Sequence, residues 1–242
     1  MKQNLLKKKT KGTSGRGARD LTTRVRTARR RSISSTRWLQ RQLNDPYVTA
    51  AKREGYVSRA AFKLVELDER FHLLRPRMRV LDLGAAPGGW SQVAARKLGG
   101  HGKVVGVDLL EFGPIPGVEC HRLDVEAPDS EAQMMEWLGG TADAVLSDMA
   151  PSTTGHKATD QLRVAALAEL AYDVARAVLA PNGIFVVKLF QGGAHGDLLA
   201  SLKRDFDQVR HAKPPASRKD SSELYLVAQG FRGTPPTDDG TP

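Results

Sequence analysis

The sequence predicts an open α/β sheet, mostly parallel, with helices on both faces. Three observations predict it. Strand-like and helix-like stretches alternate from Met78 to Phe206. "GIFVVKLF" (Gly183–Phe190) is apolar on both faces, with Phe185, Val187 and Leu189 on one and Ile184, Val186 and Phe190 on the other. The last two strand-like stretches are joined by a short connection, which suits an antiparallel pair.

The elements follow in order. Thr36–Phe71 is helical in tone and is broken once, at Asn44-Asp45-Pro46. "MRVLDLG" is a strand ending at Gly84, and "GGWSQVAARKLG" is a helix closed by Gly99-Gly100. "GKVVGVDL" and "GVECHRLDV" are the second and third strands, followed by a helix over Ser130–Leu138. "ADAVLSDMAP" is a fourth strand, stopped by Pro151. Asp160–Leu179 carries Leu162, Ala166, Leu170, Val174 and Val178 at four-residue spacing, which reads as one apolar helical stripe. "GIFVVKLF" is the fifth strand, and Asp197–Phe206 is a helix. Strands around Gln208–Ala212 and Ser222–Ala228 complete a set of seven.

Composition bounds the partners. The net charge of +10 sits in one place: residues 1–33 hold twelve Lys/Arg against Asp20 alone, while the remainder has 25 basic residues against 26 acidic. Such a block cannot bury enough apolar surface to fold by itself, so residues 1–33 read as a disordered basic arm, with a second disordered tail over 232–242. The arm suits electrostatic attachment to RNA, because binding to polyphosphate releases counterions. A solubilising tail or a transit peptide would also be Arg-rich, but the glycines and the missing apolar helical period argue against the latter. A second basic stretch, Arg37, Arg41, Lys52, Arg53, Arg59 and Lys63 against Asp45 and Glu54, makes residues 34–75 an RNA-facing helical segment of the single domain 34–231. Tyr47 and Tyr56 in it could stack on bases or pack in the core. With one cysteine, Cys120, there is no intrachain disulfide, and a reducing compartment such as the cytoplasm fits. No apolar run is long enough for a transmembrane helix, no closely spaced His/Cys/Asp/Glu cluster suggests a metal, and no sustained heptad argues against a monomer.

In open α/β sheets ligands bind beyond the carboxyl ends of the strands, so the polar residues there are the candidates. The first strand ends in "DLGAAPGGW". Its spacing of Gly84, Gly88 and Gly89 around Pro87 departs from G-x-G-x-x-G, which excludes a dinucleotide cradle and fits a loop bent around a nucleoside. Asp108 ends the second strand, where a carboxylate can accept both ribose hydroxyls, and Asp124 near the end of the third can accept from an adenine amino group. Asp148 ends the fourth strand and Lys188 lies in the fifth. Glu223 lies in the last, with Tyr225 and Val227 on its face, and Lys63 lies upstream in "SRAAFKL". A buried unpaired lysine costs several kcal/mol, so Lys188 in an apolar strand calls for a partner.

"SRAAFKL", "VLDLGAAPGGWSQV", "SDMAP", "FVVKLFQG" and "SRKDSSELYLVA" resemble the FtsJ/RlmE family of ribosomal RNA 2′-O-methyltransferases, in order and at similar spacing from Thr36 to Phe231. The resemblance implies a class I S-adenosylmethionine-dependent (Rossmann-like) methyltransferase fold, with a mostly parallel seven-stranded sheet and an antiparallel last strand. It implies a catalytic Lys-Asp-Lys-Glu tetrad on Lys63, Asp148, Lys188 and Glu223. Cofactor contacts are implied at Gly88, Trp90, Asp108, Asp124 and Asp148. The implied substrate is a uridine in the A loop of 23S rRNA on the assembled large ribosomal subunit, although similar tetrads serve tRNA and mRNA caps. Two departures stand out: the arm exceeds the family core, and Ser152 follows Pro151 where relatives often place Asn. In this chemistry a lysine acts as a base only when neutral. Burial beside a second cation, Lys63, favours that form, and a neighbouring carboxylate, Asp148, opposes it. Glu223 could orient Lys63 or accept from the ribose hydroxyl.

Overall fold

The computed structural model describes residues 32–152, 154–193 and 195–233, which divide into two units between Asp45 and Pro46. The arm through Arg31 and the tail from Thr234 lie outside the described residues. In the first unit, helix α1 (Ile33–Leu43) is capped by the Ser32 hydroxyl, which accepts from the Ser35 N–H at 3.2 Å.

The second unit opens with α2 (Pro46–Glu54) and α3 (Ala61–Phe71). The helical stretch is therefore broken twice, not once. Gly55 takes φ +71°, a left-handed conformation that suits glycine. Its carbonyl accepts from Gln92 Nε2 at 2.7 Å and Arg96 Nη2 at 3.1 Å, both on α4 (Gly89–Leu98). The turn is thus tied down by a helix that lies far along the chain. Tyr47 and Tyr56 both pack on Phe62, with centroids 5.4 and 5.5 Å away, so their rings serve packing between helices.

Seven strands form one sheet. They are β1 (Arg79–Leu83), β2 (Lys103–Asp108), β3 (Glu119–Arg122), β4 (Ala142–Ser147), β5 (Leu179–Phe190), β6 (Phe206–Ala212) and β7 (Glu223–Phe231). Their order is β3-β2-β1-β4-β5-β7-β6. The pairs from β3 to β5 are parallel, and β7 runs antiparallel to both its neighbours. The remaining helices are α5 (Ser130–Leu138), α6 (Lys157–Val178) and α7 (Gly196–Asp205). Phe206 opens β6 instead of closing the preceding helix, and α6 starts at Lys157, where the His156 side chain caps it by accepting from the Thr159 N–H.

Two apolar clusters cover the sheet. Ile184 and Val186 of β5 join α3 and α4 on one face, while Phe185, Val187 and Leu189 join α5, α6 and α7 on the other. Lys188 falls on the α3–α4 face, as the alternation requires. The four-residue stripe of α6 is corrected: Leu162 is 66% exposed and Ala166 is exposed, whereas Val164, Ala168, Ala171, Ala175 and Val178 are buried. A spacing of four overshoots a 3.6-residue turn by about 40° per step. The stripe therefore winds around the helix, with Val174 and Val178 in the core and Ala166 and Leu170 facing a cavity.

Candidate active site

The sheet order brings the candidate residues to one edge. The parallel strands β3, β2, β4 and β5 deliver Asp124, Asp108, Asp148 and Lys188 at or near their carboxyl ends. Because β7 runs the other way, it delivers Glu223 at its start. The registers Phe190↔Glu223 and Lys188↔Tyr225 set these residues side by side.

Four ionisable side chains meet there. Lys188, 5% exposed, places Nζ 3.2 Å from Asp148 Oδ1 and 2.6 Å from the Asp148 backbone carbonyl. Lys63, 8% exposed, reaches Asp148 Oδ2 at 3.2 Å and Glu223 Oε2 at 2.7 Å. Asp148 thus stands between two lysines. Its Oδ1 also accepts from the Tyr225 hydroxyl at 2.8 Å. Glu223 spends its other oxygen on the Ser217 hydroxyl at 2.7 Å. Glu223 thus bridges Lys63 and Ser217.

The electrostatics follow from burial and pairing. Burial pushes the Asp148 carboxyl up, but Lys188, Lys63 and the Tyr225 hydroxyl outweigh it and hold it below the usual aspartate range. Burial pushes Lys63 down, and Asp148 and Glu223 more than reverse this, so Lys63 is a secure ammonium. Tyr225 is raised well above an ordinary tyrosine, first by burial and then by Asp148 and Glu223. It therefore remains a hydrogen-bond donor. The sequence placed Tyr225 on the face of Glu223 without giving it a role. Its two-residue spacing from Glu223 was the available signal.

Asp148 also belongs to a cavity of about 930 Å³. Gly84, Ala86, Asp108, Asp124, Met149 and Ser152 share its wall, with Arg163, Ala166 and Leu170 of α6. Asp108 binds the Ala86 N–H at 2.9 Å and the Leu110 N–H at 2.8 Å, which fixes its carboxylate at the end of β2. Asp124 is exposed and accepts from the Glu126 N–H at 3.1 Å. Gly84 has φ +71°, and a Cβ there would come within 2.5 Å of Met149 Cγ, so only glycine lets the backbone bend along this wall.

Gly88 and Trp90 are not among the residues lining the cavity. Gly88 is the left-handed N-cap of α4, and a Cβ on it would strike Ile115 Cδ1 at 1.9 Å. Trp90 is 3% exposed, donates its indole N–H to the Ala60 carbonyl at 2.9 Å, and packs 5.6 Å from the Tyr225 ring. Ser152 accepts at its carbonyl from Arg163 Nη1 at 3.3 Å, so the loop after β4 is tied to α6 through backbone.

Residues 56–231 match the family described as FtsJ-like methyltransferase. The chain belongs to that family. FtsJ-like methyltransferases use S-adenosylmethionine, and the cavity suits it. It has the volume for a nucleoside ligand, the glycine turn of Gly84, and carboxylates at the ends of β2 and β3 where ribose hydroxyls and an adenine amino group need acceptors. Curated relatives of this FtsJ-like chain include the Azorhizobium caulinodans protein named ribosomal RNA large subunit methyltransferase E. It is 61% identical over 220 residues, which span 90% of this chain and 92% of the relative. The Xanthobacter autotrophicus protein of the same name is 60% identical, over 90% and 87% of the two chains. A solved structure from Plasmodium falciparum, described as a ribosomal RNA methyltransferase, superposes with a TM-score of 0.66 at 30% identity, covering 74% of this chain and 100% of that one. The order 3-2-1-4-5-7-6 with antiparallel β7 is accordingly the class I methyltransferase fold.

Proposed function

We propose that this chain methylates the ribose 2′-hydroxyl of a uridine in the A loop of 23S rRNA, on the assembled large ribosomal subunit. The observation that carries the reading is Asp148. It is shared between the cavity wall and the buried Lys188–Asp148–Lys63–Glu223 cluster, so the cofactor pocket and the only buried lysines among the described residues meet at one carboxylate. Relatives named for large-subunit rRNA support the substrate.

Bound S-adenosylmethionine supplies an electrophilic methyl group on a sulfonium. The protein aligns the attacking oxygen and removes its proton. A neutral lysine keeps two N–H bonds and one lone pair. At Lys188 the two N–H bonds match the two Asp148 acceptors, the carboxylate and the backbone carbonyl. The lone pair is then left for the 2′-hydroxyl proton, which passes to Nζ as the new C–O bond forms. Lys63 is held charged by Asp148 and Glu223 on the far side of the shared carboxylate. Asp148 fixes the direction of both amines.

The test is transfer of labelled methyl to large subunits isolated from cells lacking this enzyme, beside free rRNA and tRNA, with the product nucleoside identified by mass. We expect 2′-O-methyluridine on the subunits. Transfer to tRNA alone would move the substrate, and cofactor binding without transfer to any RNA would sink the reading. The basic arm serves the same substrate as an electrostatic anchor. Deleting residues 1–33 should weaken RNA binding and flatten the fall of affinity with salt, by a slope of about 0.7–0.9 for each phosphate no longer neutralised. An unchanged salt slope would remove the arm from the interface.

A further inference from the structure

We propose that Glu66 is a positioning residue for the reaction, acting on Glu223 through Ala216 and Ser217. The inference rests on the catalytic reading of the four-residue cluster.

Lys63 and Glu66 stand three residues apart on α3, on one face of the helix. Lys63 reaches into the cluster. Glu66 reaches the connection between β6 and β7. Its Oε1 accepts from the Tyr47 hydroxyl at 2.8 Å, and its Oε2 accepts from the Ala216 N–H at 2.6 Å. Ala216 is fully buried, and its carbonyl accepts from Arg59 Nη2 at 2.5 Å. Both backbone groups of this residue are therefore held by α3 and the turn that leads into it. The next residue, Ser217, is 5% exposed, and its hydroxyl donates to Glu223 Oε1. The other oxygen of Glu223 takes Lys63.

The bonds close a ring. It runs from Lys63 to Glu223, to Ser217, along the backbone to Ala216, and through Glu66 back to α3, one turn from its start. Glu223 is thus clamped from both sides by the same helix. Lys63 divides its hydrogen bonds between Glu223 and Asp148, so where Glu223 sits decides how Lys63 meets Asp148. Losing Glu66 leaves a buried backbone N–H without its acceptor. The strap at Ala216 loosens, Ser217 releases Glu223, and the lysine pair around Asp148 loses its spacing. The cavity wall at Asp108 and Asp124 is untouched, so cofactor binding should not follow.

The experiment measures single-turnover methyl transfer to large subunits, with cofactor affinity measured separately. The variants are Glu66→Ala, Ser217→Ala and the double, beside Glu66→Gln. Glu66→Ala and Ser217→Ala should each slow transfer by about tenfold, the scale of one missing charged hydrogen bond. The double should be no slower than the slower single, because both cut one chain of hydrogen bonds. Glu66→Gln should keep most of the rate, since its amide oxygen still accepts from Ala216, and cofactor affinity should be unchanged throughout. Slowdowns that multiply would overturn the proposal, as would a Glu66→Ala protein that melts earlier yet transfers methyl at the wild-type rate. If Glu66→Ala does not fold, Glu66→Asp, too short to reach both partners, carries the same comparison with Ser217→Ala. Lys188→Ala separates the two possible failures. If it stays active, the reading of the cluster falls and takes this inference with it. If it is dead while Glu66 and Ser217 act independently, this inference alone falls.

Discussion

Lys188→Ala should abolish methyl transfer, by a factor on the order of 10³ or more, while S-adenosylmethionine affinity stays near wild type. The two halves of this expectation come from different geometry. Lys188 is absent from the cavity wall but is bonded to Asp148 through both its carboxylate and its carbonyl. Removing the amine removes the proton acceptor and leaves Asp148 held by Lys63 and Tyr225. Lys188→Met is the companion variant, because it fills the same buried space and separates the loss of the amine from a cavity in the sheet. The pH profile adds a signed test. A lysine base works when neutral, so the rate should rise with pH wherever chemistry limits it. A flat profile from about pH 6 to about pH 9, with chemistry rate-limiting, would count against a general base. Lost cofactor binding in Lys188→Ala would make the lysine structural.

Asp148→Ala should lose more: transfer, cofactor affinity and stability together. Among the described residues, Asp148 is the one that is both in the cavity wall and bonded to Lys63, Lys188 and Tyr225. Without it two buried lysines face each other with Glu223 as the remaining carboxylate, and breaking such a buried pair costs about 3–5 kcal/mol. The sign of the pH effect is fixed by the lowered folded-state value of Asp148. Its contribution is complete above the unfolded aspartate value of about 4 and fades as pH falls through the lower folded value. Denaturant melts of Asp148→Asn should therefore show a deficit at neutral pH that shrinks below about pH 4. A deficit of equal size at both ends would mean that the charge of Asp148 does not stabilise the fold.

The strands were legible in the sequence because parallel strands buried on both faces leave short apolar runs, and their polar ends point to the ligand edge. Lys188 stood out because it interrupts such a run. The second break, at Gly55, was not legible, because Gln92 and Arg96 that hold it come from α4. The α6 stripe misled because spacing alone does not say where the helix turns from core to cavity. Asp108, Asp124 and Asp148 fall on the cavity as strand-end logic requires, while Gly88 and Trp90 prove to be packed against Ile115 and Tyr225. Glu66 and Ser217 were out of reach for another reason. Glu66 takes a backbone N–H from far along the chain, and Ser217 meets Glu223 six residues on across an irregular connection, so no residue pattern records either.

The place of β7 at the end of the element order has a consequence for the timing of synthesis. Asp108, Asp124 and Asp148, the strand-end acids of the cavity wall, leave the translating ribosome well before Glu223, which opens the last strand of the fold. Tyr225, which steadies Asp148, arrives with it. A growing chain thus holds these acids while Lys63 still lacks Glu223 and Asp148 still lacks Tyr225. A chain cut short before β7 would lack both Glu223 and Tyr225, and with them the second carboxylate on Lys63 and the hydroxyl on Asp148.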